Sequence, residues 1–385
     1  MSRQEQLILL IGSLAAILAR MFFINFESQD YILFLSPWYN YIQTNGAFHA
    51  FHSWFSNYSP LYLHLLSITT SFPLNSLYVI KAWSILFDFV GAYFAYRIIK
   101  RAHPQSLLPA LGFVSVLLIP TVVLNSAAWG QCDMMVASFL LGAVYYFLER
   151  KFHASFILLG IALALKPQAF FILPVFFLGW LRRQYSWRYF IYLPLIYLLT
   201  IIPSVLAGRG VKDLLLIYYA NAVGRYLSAG IPNLYTWFPS AMQHFEFWNR
   251  LGLLLAMGVI GAACLAVYLR FRDRELPDGV TIQLALFCAL AAPFFLPQMH
   301  DRYYFLADVI SVVYFFFFVR NVLVPVAVVL GSLVAYLNYL YGVQPIDFLY
   351  PSIAIFLVLI FLFIGIVTSS GHTPPRPVPA PVSSG

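Results

Sequence analysis

Charge is scarce in this chain. Of its 385 residues only 9% are Asp, Glu, Lys or Arg, where soluble domains carry roughly 25%. So few charges cannot give a string of soluble domains a solvated surface. Cysteine is scarce too, with three residues, Cys132, Cys264 and Cys288. They make no disulfide framework, and the last two lie in apolar stretches as packing residues. Cys132 has no partner at metal-ligand spacing, which argues against a zinc site. A Gly-rich phosphate loop and an internal repeat are both missing. The first apolar run has no convincing cleavage site after it, so residues 7–26 read as a retained first span.

Apolar residues fill the space. The chain is 62% hydrophobic, with a mean hydropathy of +0.82. That composition belongs to an all-α, polytopic membrane protein. About twelve transmembrane helices are expected, at roughly 7–26, 76–99, 106–124, 134–149, 153–165, 168–181, 188–206, 250–270, 281–297, 303–319, 322–340 and 351–368. Some are shorter than the roughly 20 residues of a straight span, so one or two are expected to be broken or tilted. Residues 1–368 read as one transmembrane domain. Residues 369–385 are Pro- and Ser-rich and read as a disordered tail.

The net charge of +8 does not call for nucleic acid, because excess Lys and Arg mark cytoplasmic loops. The segment 60–73 decides the topology. Read as an interfacial helix, it leaves Lys100-Arg101, Arg150-Lys151, Arg182-Arg183-Arg188, Arg270-Arg272-Arg274 and Arg320 on one side. That side is cytoplasmic by the positive-inside rule, as are both ends of the chain. Two long connections, 27–75 and 207–249, then lie outside. Both are rich in Trp, Tyr and Phe and are expected to form amphipathic helices on the membrane surface.

Four polar clusters interrupt the apolar runs, all at outer span ends. They are Gln29-Asp30-Tyr31, Trp129-Gly130-Gln131-Cys132-Asp133, Lys166-Pro167-Gln168 and His300-Asp301-Arg302-Tyr303-Tyr304. Ionisable groups beside hydrocarbon are costly and need a reason. Asp30, with Glu27 three residues before it, has the chemistry of a general base at a membrane surface. It also suits a helix N-cap, as does Asp133. Trp129 can stack on a sugar or sit in an aromatic belt. Lys166 breaks the charge bias of the outer side, and can pair with a phosphate or snorkel. His300 and Arg302 can bind phosphate, Arg in bidentate fashion, unless Asp301 and Arg302 simply pair. Asp88, Arg20 and Asp308 lie inside spans, as buried partners for one another or for the clusters.

These motifs, with Asn57-Tyr58-Ser59-Pro60-Leu61-Tyr62 and Leu165-Lys166-Pro167-Gln168, resemble the GT-C superfamily of polytopic glycosyltransferases. Over about residues 20–310 the chain is most similar to bacterial mannosyltransferases related to the second mannosyltransferase of GPI-anchor synthesis. The resemblance implies a polyprenyl- or dolichyl-phosphate-linked sugar donor, mannose by preference. It implies a lipid or glycan acceptor and inversion at the anomeric carbon. It makes Asp30 the general base, with Glu27 and Asp133 as further acids. Lys166 and His300–Arg302 fall where the superfamily binds the lipid phosphate. Further substrate contacts are expected from Tyr31, Tyr58, Trp129, Gln168 and Asp301, and from Arg225 of the second outer connection. Family members often show Pro-Pro where this chain has Ser59-Pro60, which loosens the inference at that contact. No obligatory metal or other cofactor is expected, because cationic side chains can stabilise a leaving phosphomonoester. The expected setting is a bacterial inner membrane, or an ER membrane in a eukaryote, with the site on the periplasmic or luminal face. A secondary transporter, or a flippase for a lipid-linked sugar, is the rival reading. Transporters place their polar sites near the midplane in repeated halves.

Overall fold

The computed structural model describes residues 1–217 and 224–368; the tail 369–385 lies outside the described residues. The described chain is mostly α-helical. Helix α1 is Arg3–Met21, capped by the Ser2 hydroxyl, which accepts from the Glu5 amide. After a π-helical turn, Tyr31–Leu35, come α2 (Ser36–Asn45) and the short α3 (Pro60–Ser67). The long α4 runs Ser76–Ala102, with the Asn75 side chain capping Leu77. Next are α5 (Leu108–Leu118) and α6 (Pro120–Val123), the latter continuing as a second π-helical turn, Leu124–Trp129. Then follow α7 (Asp133–Leu148), α8 (Phe152–Leu165), α9 (Leu173–Leu181), α10 (Tyr192–Leu206) and α11 (Val211–Leu215). The remainder is α12 (Phe245–Arg270), α13 (Asp278–Phe295), α14 (Phe305–Phe318), α15 (Leu323–Tyr341) and α16 (Leu349–Thr368).

Every apolar run of the sequence became a helix, but not every helix has the length of a span. Seven are long and apolar enough to cross a membrane by length and composition, and an eighth is the bent pair α5–α6. α7, α8 and α14, and α9 with the 3-10 turn before it, are apolar but shorter. The segment from Trp187 through α10 is only 11% buried despite its apolar sequence, while α13 is 94% buried. A helix that is greasy all round and uncovered by protein belongs against lipid. The protein is therefore multi-pass and membrane-embedded, with α7 and α13 at the centre of the bundle.

Prolines set two breaks. Ile119 precedes Pro120 and is forced into an extended conformation (φ −54°, ψ 125°), because the α region clashes with the proline ring. The chain restarts with Pro120 at the first helical position and a 52° bend. Lys166 precedes Pro167 and is likewise extended (φ −152°, ψ 145°), which ends α8. The segment 60–73 does not cross the bundle. It leaves the cavity wall at Ser59 and returns to the same end at Ser76, whose hydroxyl meets Tyr31.

The basic runs meet at the opposite end. Arg101 bonds Glu149 and, at 2.7 Å, Asp278. Arg150 pairs with Glu275 at 2.7 Å, and Arg270 donates to the Thr368 carbonyl at 3.2 Å. Glu5 lies 3.5 Å from Lys100, so both described ends of the chain gather there. Inside the bundle Arg20 pairs with Asp88 at 2.8 Å, both side chains about 1% exposed or less. Arg20 also donates to the carbonyls of Ala16 and Leu117. Asp308 is not part of this pair and accepts from Thr121 at 2.7 Å.

Removing one partner of such a pair strands a buried charge. Arg20→Met alone is expected to cost about 3–5 kcal/mol. Arg20→Met with Asp88→Leu is expected to recover most of the loss. Thermal unfolding of the detergent-solubilised variants checks this.

Candidate active site

The four clusters converge on one cavity of about 560 Å³ at the end of the bundle away from the basic runs. Asp30 is the group on which they meet. It is not a helix cap: its side chain makes no capping bond, and the Ser28 hydroxyl accepts from the Tyr31 amide instead. Asp30 Oδ2 accepts from Trp129 Nε1 at 2.8 Å and from Gln131 Nε2 at 2.5 Å. Asp30 Oδ1 accepts from the Tyr339 hydroxyl at 2.5 Å. The π-helical turn ending at Trp129 brings the first two donors in. Gly130 reverses the chain with φ 76°, a left-handed value that favours glycine, and the Gln131 amide closes back on Asn125 at 2.9 Å.

Asp133 is not a cap either. Its Oδ1 receives Lys166 Nζ at 2.6 Å and its Oδ2 receives Asn125 Nδ2 at 2.9 Å. Lys166 is buried and does not snorkel. Burial works against its charge, but Asp133 outweighs burial and holds its pKa well above the usual lysine range. Arg302 stands among three carboxylates without a short bond to any: 3.7 Å from Asp30, 3.6 Å from Asp133 and 3.6 Å from Asp301. Its guanidinium lies 5.2 Å from the Trp129 ring centre. Donors held this loosely remain available to an anion.

His300 contacts the Tyr226 hydroxyl at 2.9 Å. Burial first, then the Arg302 charge, push its pKa down to about 4, so it is neutral at physiological pH. The phosphate grip expected of Lys166, His300 and Arg302 thus loses one of its charges. Asp301 moves the other way. Burial raises it to about 7, against the pull of Arg302. A parallel pairing of two short strands, β1 (Ser228–Ala229) and β2 (Met299–His300), ties the second outer connection to this wall.

The structure corrects several expectations from sequence. Trp129 is fully buried, so it offers no face to a sugar. It stacks on Tyr339 at 4.3 Å and holds Asp30. Asp133 lies behind the cavity wall and is absent from its lining; its carboxylate is committed to Lys166 and Asn125. Glu27 is exposed and outside the cavity, because it and Ser28 precede the helical start at Gln29, and three residues across that boundary do not put Glu27 and Asp30 on one face. Tyr31 bonds Ser76 at 2.9 Å and packs inward. Arg225 is exposed and 3.8 Å from Glu246, away from the cavity. The expected contacts Tyr58, Gln168, Asp301 and Arg302 do line it, with Lys166 and His300. Tyr58 donates to Gln131 at 2.9 Å, and Lys166 lies 5.0 Å over its ring.

Sequence reading missed Tyr339, Gln131 as a donor, and Tyr226. Tyr336 and Tyr339 are three apart on α15 and share a face. That signal is indistinguishable from an aromatic belt at a span end. Phe171 of the cavity wall also borders a second space, an apolar groove of about 950 Å³ between α9, α12 and α13.

No family model matches this chain, and no curated protein matches it.

The Asp301 shift has a sign that can be tested. Below about pH 7 Asp301 is largely neutral; above it a negative charge appears beside Arg302. Affinity of the cavity for sulfate, an anion whose own charge does not change in this range, is expected to fall as pH rises through 7, and Asp301→Asn is expected to flatten that fall. Calorimetric titration between pH 6 and 8 checks it.

Proposed function

We propose that the protein is an inverting GT-C-type glycosyltransferase with about twelve spans. It moves a monosaccharide from a polyprenyl- or dolichyl-phosphate donor to a hydroxyl of a lipid or glycan acceptor. The observation that carries this reading is a carboxylate, Asp30, held on the cavity wall beside a loosely held Arg302. The apolar groove that begins at the shared residue Phe171 supports a donor with a lipid tail. The motif resemblance supplies the preference for mannose. The basic runs at the far end support a site on the periplasmic or luminal face, in a bacterial inner membrane by preference.

In this scheme Asp30 takes the proton of the acceptor hydroxyl as its oxygen attacks the anomeric carbon. The bond from that carbon to the phosphate oxygen breaks on the opposite face, inverting the centre. The departing lipid phosphate gains negative charge, and Arg302 on the cavity wall stabilises it. Lys166 adds positive potential from its pair with Asp133. Tyr58, Gln168 and Asp301 line the space where the sugar sits. Arg302 and Lys166 supply the positive charge, so the scheme needs no obligatory metal.

Transfer from radiolabelled polyprenyl-phosphate mannose to lipid acceptors in membranes tests the reading. Asp30→Asn is expected to lose about 10²–10⁴-fold in rate, the range for a positioned general base. Equal rates in variant and wild type would remove Asp30 as base. Activity is expected to survive chelation; full loss restored by Mn²⁺ or Mg²⁺ would overturn the metal-free scheme. Uptake of substrate into proteoliposomes without transfer would favour a transporter.

A further inference from the structure

The two oxygens of Asp30 are not equivalent. An ionised carboxylate has about two lone-pair positions on each oxygen. Oδ2 uses both, for Trp129 Nε1 and Gln131 Nε2, and faces Arg302 at 3.7 Å as well. Oδ1 has one protein donor, the Tyr339 hydroxyl. Both Asp30 and Tyr339 line the cavity. The remaining lone pair of Oδ1 is therefore the one left for a ligand.

Tyr339 is itself fixed. Its ring stacks on Trp129 at 4.3 Å with an interplanar angle of 15°. Trp129 is the donor to the other oxygen, so one aromatic pair grips both ends of the carboxylate. Rotation of Asp30 about its last bond would break the bonds to Trp129, Gln131 and Tyr339 together.

Resting on the glycosyl-transfer reading, we propose that Oδ1 is the reactive oxygen of Asp30, and that Tyr339 is the positioning residue that aims its free lone pair at the acceptor hydroxyl. The acceptor proton moves to Oδ1. The acceptor oxygen bonds to the anomeric carbon, and the carbon–phosphate-oxygen bond breaks. Its removal is expected to lower the rate while leaving substrate binding in place.

Tyr339→Phe is expected to lower kcat on the order of 10- to 100-fold with little change in KM, as misaimed groups do. A structural role alone would raise KM and lower thermal stability along with the rate. Infrared difference spectra between each protein and its Asp30→Asn counterpart, taken at one neutral pH, read the carboxylate stretching bands of Asp30 without any turnover. Loss of the Tyr339 bond is expected to change the separation of those bands in Tyr339→Phe, and 3,5-difluorotyrosine at the same position, a stronger donor of nearly the same shape, is expected to change it the other way. A wild-type kcat in Tyr339→Phe, or bands unmoved in both variants, would overturn the proposal. Absence of transfer by wild type with shifted bands would instead overturn the assigned reaction and leave the Tyr339 bond established.

Discussion

A carboxylate at the edge of hydrocarbon needs hydrogen-bond donors, and in this protein the three donors to one carboxylate organise the end of the bundle. Asp30 draws its donors from residues 99, 101 and 309 positions away in the chain. These come from the turn before α7 and from α15, elements with no reason of their own to meet. Each bond is worth little net in water. Asp30 is largely shielded from water, with 13% of its side chain exposed, and there an unfilled carboxylate costs more, so the set is favoured together. The Trp129–Tyr339 stack, the Asn125 link to Asp133 and Tyr336, and the Lys166–Asp133 pair extend the same network inward.

Reaching that arrangement requires helices that stop short. A regular span would carry its polar residues past the bundle end. Pro120 breaks the α5–α6 span, and the chain beyond it widens into a π-helical turn that delivers Trp129. Pro167 ends α8 one residue after placing Lys166. A second π-helical turn follows Asp30 directly. π-Helical turns are rare and concentrate at functional sites, since the extra residue per turn re-aims a side chain. Two of them flank the Asp30–Trp129 bond.

Much of this was legible in the sequence, for physical reasons. Apolar runs of span length have one solution in lipid, so the helices appeared where composition put them. Their ends moved by a few residues, and the 52° bend and the short α7, α8 and α14 showed which expected spans are irregular. The clusters converged because unpaired charge is too costly to scatter. What composition could not give was direction. Glu27 and Asp30 are close in sequence, yet one faces outward and the other the cavity. Trp129 read as a stacking platform because exposure is invisible in a string. Tyr339 was unreadable because an aromatic residue at a span end has a bland explanation that holds for most of its kind. The π turns leave no trace in hydrophobic periodicity.

The charge state of the site follows from the same constraint. Lys166 neutralises Asp133, and Arg302 faces Asp30. His300 contributes no charge at neutral pH, and Asp301 is poised near its midpoint. The resting cavity is thus close to electrically balanced. A strongly cationic site would bind a phosphate in every state, including the product, and would spend that attraction equally on ground and transition states. A balanced site with one loosely held guanidinium does otherwise. Arg302 is shared among three acids at 3.6–3.7 Å. In the proposed transfer, Arg302 would lose one of its competitors once Asp30 had taken a proton, as the leaving phosphate gained charge. Its pull on that phosphate would then grow along the reaction, which is the condition for an interaction to raise a rate.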